Sequence, residues 1–487
     1  MTSTLLSQRA RTQLYIAGEY VDGTSGRTAD IVSPVTGETI ATLPVPGRDD
    51  LDRAVTAARL AQEQWRRMGV WQRAEICHRV GDLLSARIDE LARIQTLEQG
   101  KPLAESVADL EEAAKLFHLH AEDAVRLHGE TLPSNDPQKR MWTFYQAVGT
   151  WAIVVPWNFP VLMFTEFAAP GLATGNALVV KPPTHTSLAL LTAVEILEEA
   201  GVPKGLVSVL PGEGDFGAEL VTHPGIDAIG FIGSSATAEK IVRSAGLKRA
   251  IIEASGNGPL IVLDDANIEA AALAAVRGAY YNAGQVCCAT GRVLVHADVH
   301  AEFVAATLKA SEEAVLGDPF AGTTTLGPMN NAATAAKVDI HLEEARARGF
   351  DIRTGGGRSS GYPTDLYYEF TVVDNVAPDS LLNRQETFGP VLPIITATSD
   401  EELLRLANDD ALGLQSGVFT SDMNRAYHFV ENLRTGQVIV NDSNGFWDIN
   451  MPFGGVGGKR TGWGRIGGVH TLIDMSDLRT GVLHLGR

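Results

Sequence analysis

Between Arg48 and Arg126 apolar positions recur every three to four residues among Ala, Leu, Arg and Glu, which is the period of amphipathic helices. The pattern breaks at Gly100-Lys101-Pro102, so it predicts several helices rather than one. Ahead of it, residues 14 to 45 alternate short apolar runs with the turn signals Ala17-Gly18-Glu19, Asp22-Gly23 and Gly37, predicting a small β meander. Residues 127 to 147, with Gly129 and Pro133-Ser134-Asn135-Asp136-Pro137, read as two strands joined by a polar turn. From Gly149 strands and helices alternate: strand runs at 151 to 155, 177 to 180, 207 to 210 and 228 to 232, and helical runs at 161 to 172, 187 to 200, 216 to 222 and from 236. A second such series follows Glu253, with strands at 260 to 263 and 292 to 296 and helices at 268 to 282 and 301 to 314. That alternation predicts an α/β fold with parallel sheets covered by helices on both faces. Residues 471 to 485 read as a further strand, and the Gly-rich stretch 354 to 361 as a surface connection.

At 487 residues the chain is too long for one core and predicts two or three domains. Its 45% hydrophobic and 20% charged residues are those of an ordinary globular protein. A formal charge of −19 excludes a basic surface for nucleic acid and disfavours an anionic membrane face. The best candidate for a spanning segment, 148 to 164, is broken by Pro156 and Pro160. Three cysteines, two of them adjacent, cannot build a disulfide framework, so a reducing, cytoplasmic setting is expected. The first eighteen residues carry Ser3, Ser7, Arg9 and Arg11 and no acid before Glu19, a faint transit-peptide pattern. They run straight into the strand-like Leu14-Tyr15-Ile16 and are read as an ordinary chain terminus.

Candidate chemistry concentrates in Tyr281-Asn282-Ala283-Gly284-Gln285-Val286-Cys287-Cys288, where a cysteine pair follows a Gly-Gln able to bring backbone close to a ligand. On its own Cys287 reads equally as a buried small apolar residue. Gly212-Glu213-Gly214-Asp215-Phe216-Gly217 matches G-x-G-x-x-G after a strand, without the acid that should end the next strand. His118 and His120 are spaced to face different sides of a helix with no third ligand group near, so no metal site is expected.

Three further blocks, Pro156-Trp157-Asn158-Phe159-Pro160, Glu253-Ala254-Ser255-Gly256-Asn257-Gly258-Pro259 and Gln385-Glu386-Thr387-Phe388-Gly389-Pro390, change the reading. With the cysteine block, and with 34 positions between Glu253 and Cys287, they resemble in order the signatures of the aldehyde dehydrogenase superfamily, from about Tyr15 to the C-terminus. The resemblance implies oxidation of a small-molecule aldehyde to its acid with NAD or NADP. It implies a Rossmann-like cofactor domain (1–126 and 148–255), a catalytic domain (256–468) and an oligomerisation arm (127–147 and 469–487) that makes a homodimer or homotetramer. Cys287 would then be the nucleophile, Asn158 the oxyanion donor and Glu253 the general base that hydrolyses the thioester. Lys181 and Thr184 would face the adenosine ribose, and Gly233 and Ser234 the phosphates. Trp157, Glu386 and Phe388 would surround the nicotinamide end, while Phe159, Met163, Glu166, Val286, Phe446 and Trp447 would form the mouth for the aldehyde.

The chain departs from the family pattern at several of these places. Ser255 and Asn257 stand where glycine and lysine are usual, Ile232 replaces a threonine, and Phe167 replaces a frequent lysine, with Glu166 before it in place of an aromatic. The segment after Pro452-Phe453-Gly454-Gly455 is longer than usual. Thr184 stands where a glutamate often reads the ribose, which removes a charge that would repel a 2′-phosphate. The same Cys and Glu would also serve a redox-free acyl transferase or thioesterase, and the fold alone would suit a non-catalytic relative.

Overall fold

The computed structural model describes residues 10–486. The reading of residues 1–9 as part of a chain terminus lies outside that range. The helical period between 48 and 126 resolves into Arg48–Trp65, Val70–Ala86, Ile88–Gln99 and Leu103–Ala124. The break falls where the sequence puts it, with Gly100 at φ 101° closing one helix and Pro102 opening the next.

An eight-stranded sheet runs in the order Gly462–Trp463, Arg249–Ala254, Ala228–Gly233, Thr150–Val154, Ala177–Lys181, Val207–Val209, Leu14–Ile16, Glu19–Val21. Its five inner strands are parallel and its two ends antiparallel. Strands such as Thr150–Val154 and Ala177–Lys181 are buried along their whole length because helices cover both faces, and this is why they read as unbroken apolar runs. The expected meander at 14 to 45 is divided. Leu14–Ile16, wholly buried, docks with its hairpin partner on the large sheet through Tyr15 and Val209. Thr28–Val32 and Thr39–Pro44 make a separate two-stranded ribbon. The helix expected at 187 to 200 is two, Leu188–Ala193 and Glu195–Ala200.

A second, seven-stranded sheet runs Asp351–Thr354, Thr371–Asp374, Val391–Ala397, Thr290–His296, Gly258–Val262, Gln415–Phe419, Gln437–Val440, parallel except for its first strand. Each sheet has its own hydrophobic cluster, the first around Trp65, Trp151 and Phe167, the second around Phe303, Val338 and Phe429. Among the described residues no helix is long and apolar enough to cross a membrane.

The segments 127–147 and 471–485, read as strands of one arm, pair with each other. Residues 468–474 form a helix, and Ser476–His484 then lies antiparallel along all of Lys139–Ala147, which also holds Thr131–Leu132. Lys139–Ala147 alternates partly covered and exposed positions from 141 to 145 and Ser476–His484 is exposed over most of its length, so their union leaves Trp142, Leu478, Val482 and Leu483 exposed.

Candidate active site

The parallel strands of the first sheet all deliver their carboxyl ends to one side, where α/β proteins bind ligands. Three of those ends border a cavity of about 680 Å³: 154–159 after Thr150–Val154, 231–234 closing Ala228–Gly233, and Glu253 with Ser255 after Arg249–Ala254. The opposite wall comes from the connections of the second sheet, residues 286–289 before Thr290–His296 and Glu386 with Phe388 before Val391–Ala397. Asn158, Glu253 and Cys287, more than thirty residues apart in the chain, all line this one space.

The backbone reaches Cys287 through a tight reversal. After the helix Ile268–Tyr280, Asn282, Ala283 and Gly284 take φ of 48°, 54° and 71°, three left-handed residues in succession. Only asparagine and glycine adopt that region readily, and an alanine there costs about 1–2 kcal/mol. The Asn282 side chain offsets the cost. It is buried, accepts from Gln99 Nε2 at 2.9 Å, and donates to the carbonyls of Asn158 at 3.2 Å and Gln285 at 3.3 Å. Its own N–H donates to Glu105 Oε2 at 2.9 Å, and its carbonyl accepts from Gln285 Nε2 at 2.9 Å. Gly284 is required by more than φ, since a Cβ would fall 2.2 Å from the Gly389 carbonyl oxygen.

Asn158 is bound into the same loop: its Nδ2 donates to the Gln285 carbonyl at 2.9 Å. An amide nitrogen carries two hydrogens, so one fixes the side chain and one remains for the cavity. Glu253 is 2% exposed and neither carboxylate oxygen has a hydrogen-bond partner. Burial pushes its carboxyl up to about 8, with the Glu386 charge adding and the nearby Cys287 thiol opposing. A hydrogen bond with Cys288, burial and the charge of Glu253 push the Cys287 thiol well above its ordinary range. At neutral pH the pair therefore stores two protons. Cys288 lies almost wholly in the core.

Glu386 Oε1 accepts the Gly256 N–H at 2.9 Å; burial raises its carboxyl and the Lys337 ammonium opposes the rise. Gly256 itself touches the nucleophile's backbone, for a Cβ there would sit 1.9 Å from the Cys287 carbonyl oxygen. Phe388, at φ 56°, stands edge-on to Trp157 with centroids 5.6 Å apart and planes at 85°. Gly233, Ser234 and Thr237 border the cavity at the start of the helix Ser235–Ser244, where the helix dipole suits a pyrophosphate, the Ser235 and Thr237 N–H groups being held by the Ser255 and Ser234 hydroxyls. The G-x-G-x-x-G run does not border it. This donor set, together with the aromatic pair, fits a nicotinamide dinucleotide.

Phe159, Met163, Val286 and Trp447 line the cavity as expected. Two residues expected with them do not. Glu166 lies almost a turn beyond Met163 on the helix Pro160–Thr174, fully buried away from the cavity, its carboxyl pushed up to about 8 by burial with the Gly467 amide opposing. Phe446 turns outward between two lining neighbours and is 46% exposed. Lys181 and Thr184 are buried beside the cavity rather than on it; Lys181 Nζ donates to the Gly212 carbonyl at 2.7 Å, and burial lowers it to about 8.

Two departures from the family pattern acquire places. Ser255 occupies a left-handed position, φ 44°, and its hydroxyl accepts the Ser235 N–H at 3.2 Å. Asn257 donates to Asp410 at 2.8 Å, and Asp410 is in turn paired at 3.1 Å with the fully buried Arg292. Sequence reading missed Asp109, Glu112, Arg277, Lys337 and Phe453 as lining residues. Most of these sit on helices far along the chain, and no local signal marks them.

Replacing Asn282 with Gly keeps a residue that accepts φ near 50° and deletes only the side-chain bonds. Three buried hydrogen bonds at about 1 kcal/mol each, about 3 kcal/mol together, predict a loss of roughly 150-fold in kcat/KM with the fold retained. Wild-type turnover by Asn282→Gly in a steady-state assay would show that the side chain does not hold the loop.

The aldehyde dehydrogenase family model matches residues 20–480. Over 472 residues the chain is 35% identical to the mitochondrial succinate-semialdehyde dehydrogenase of Arabidopsis thaliana, covering 96% of this chain and 88% of that protein. A crystal structure of succinate-semialdehyde dehydrogenase from Burkholderia pseudomallei superposes with a TM-score of 0.95 at 36% identity over 98% of both chains. One of betaine aldehyde dehydrogenase from Staphylococcus aureus in complex with NAD+ gives 0.96 at 31% identity, over 100% of this chain and 97% of that one. A cysteine, an asparagine amide and a buried carboxylate converge on one cavity beside a dinucleotide-compatible helix start, in a chain matched almost end to end, and the chain belongs to the aldehyde dehydrogenase family.

Proposed function

We propose that Cys287, Asn158 and Glu253 divide the oxidation of an aldehyde to its carboxylic acid between them. The observation that carries this reading is that all three line one cavity, with the base candidate buried and unpartnered beside the thiol. Cys287 Sγ gives its proton to solvent water as it adds to the carbonyl carbon, giving a thiohemiacetal oxyanion. The free Asn158 amide hydrogen and the Cys287 N–H receive that oxyanion, already oriented by the Gln285 carbonyl. Bound NAD or NADP supplies the hydride acceptor. Glu253 takes a proton from water attacking the resulting thioester, and the acid leaves as the thiol is restored. A base placed this way favours free acid over acyl transfer to another thiol, and hydride transfer separates this reading from a redox-free thioesterase.

Residues 1–126 and 148–255 are assigned to the cofactor, with Gly233 and Ser234 at the pyrophosphate, Lys181 and Thr184 toward the adenosine ribose, and Trp157, Glu386 and Phe388 at the nicotinamide end. Residues 256–468 carry the nucleophile, and 127–147 with 469–487 the arm. The three cysteines are unpaired, which supports a cytoplasmic setting.

Cys287→Ala should abolish cofactor reduction, whereas Cys288→Ala keeps most of it. Glu253→Gln should keep a first-turnover burst of reduced cofactor and then slow at least 100-fold. With its carboxyl near 8, Glu253 becomes a base only as pH rises through that value, so the wild-type hydrolysis rate should climb to a plateau above it. Glu253→Gln should lose that rise in stopped-flow traces between pH 6 and 9.5. An unchanged steady state in Glu253→Gln would remove it as the base.

Thr184 leaves no acid to repel a 2′-phosphate, so NADP should be usable. Thr184→Glu should lower kcat/KM for NADP at least tenfold, about 1.4 kcal/mol, while sparing NAD. Equal loss with both cofactors, in a variant melting at the wild-type temperature, would show that this position does not read the 2′ group.

The three-stranded sheet of 131–147 and 476–484 exposes Trp142, Leu478, Val482 and Leu483, and its outer strands have no partner among the described residues. A homodimer or homotetramer covers such a surface. Light scattering at micromolar concentration should report two or four times the 52.0 kDa chain mass, and a monomer would refute the assignment.

A further inference from the structure

Resting on the aldehyde-oxidising reading above, the charges around the cavity narrow its substrate. Among the described residues, Arg277 and Lys337 are the cations that line it. The Arg277 guanidinium is already bound to both carboxylate oxygens of Glu313, at 2.8 and 3.3 Å. Lys337 lies beside Glu386, on the side assigned to the cofactor. A third cation, Lys101, is fully buried behind the wall. It pairs with Asp109 at 2.5 Å and sits 3.7 Å from the centroid of the Phe159 ring. Apart from Lys337 on the cofactor side, which forms no ion pair among the described residues, each of these positive groups is thus bound by a carboxylate of the chain itself. Two acids, Asp109 and Glu112, border the same space, each paired with a lysine, Lys101 and Lys115 at 2.5 and 2.7 Å.

The rest of the wall is aromatic and apolar. Phe159 and Tyr281 stand with planes 16° from parallel and centroids 6.5 Å apart, and Trp447 and Phe453 come from the long segment near the C-terminus. A substrate carboxylate held against this wall would lose water and would find Arg277, Lys101 and Lys115 already bound by Glu313, Asp109 and Glu112. An uncharged ring loses little hydration and gains offset or edge contacts with these side chains.

We propose that the substrates are uncharged aromatic aldehydes, and that aldehydes carrying a second, anionic carboxylate are poor ones. Trp447 is the residue chosen to read the ring, since it lines the cavity and is not among the residues hydrogen-bonded to the turn before Cys287.

The test is kcat/KM for cofactor reduction with benzaldehyde, hexanal, 4-aminobutanal and succinate semialdehyde, each with NAD and with NADP. Benzaldehyde should exceed succinate semialdehyde at least tenfold and should also exceed the other two. Trp447→Ala should raise KM for benzaldehyde about three- to tenfold with less change for hexanal, and Trp447→Phe should restore most of it. In Met163→Arg, which adds an unmatched cation to the wall, the ratio of succinate semialdehyde to benzaldehyde should rise at least tenfold. Preference for the semialdehyde or the amino aldehyde, with Cys287 still required, would overturn the substrate assignment and leave the reaction intact. Failure of all four aldehydes to reduce either cofactor would overturn both.

Discussion

Three left-handed residues in a row hold the nucleophile where it is, and the structure around the cavity is arranged to keep them so. Such a reversal is unstable unless its polar groups are met. Asn282 meets them by linking the helix that ends at Gln99, the Glu105 carboxylate, the Asn158 carbonyl and the Gln285 carbonyl. The candidate oxyanion donor and the nucleophile are therefore positioned by one side chain, and helices from the first hundred residues support a loop nearly two hundred residues later. Since Asn158 is bound to the Gln285 carbonyl, a shift of the loop would carry the donor with it.

The two sheets meet through contacts that leave little freedom. Gly256 lies against the Cys287 carbonyl and gives its N–H to Glu386, so three blocks distant in sequence share one glycine. Behind it Asn257 is tied to Asp410, whose charge is matched by buried Arg292. Such a pair adds little net stability, but losing either partner strands a charge in the core. Near the thiol, burial raises the carboxyls of Glu253 and Glu386, and Glu253 is the one whose oxygens have no hydrogen-bond partner among the described residues.

Much of this was legible in the sequence. The 3.6-residue period gave the helices between 48 and 126, and the buried strands announced themselves as apolar runs because both faces are covered. Cys287, Glu253, Asn158, Glu386 and Phe388 were visible as blocks whose order and spacing resemble a family, and the structure brings them to one cavity. Glu166 and Phe446 were misplaced because proximity to a motif does not fix direction: the first continues down a helix out of reach, the second faces solvent. Asp109, Glu112 and Lys337 were invisible because they come from helices that no motif singles out, and which helix face borders the cavity is set by the packing of distant elements. The union of 139–147 with 476–484 was missed because no local pattern encodes a long-range pairing, although both were read as strands in search of an edge.

That late pairing bears on how the chain matures as it leaves the ribosome. The strand Arg249–Ala254, with Glu253 near its end, takes one neighbour from Ala228–Gly233 and the other from Gly462–Trp463. The arm strand Lys139–Ala147 waits still longer, for Ser476–His484, and Asn176 waits for the Met475 carbonyl. Every residue assigned to the chemistry is thus synthesised while two sheet edges remain open, and open edges on a part-folded chain invite mispairing. A nascent chain complete through Phe453 would hold nucleophile, base and oxyanion donor and still lack both closures. Completion of both sheets therefore falls to the last strands of the chain, which do not themselves line the cavity.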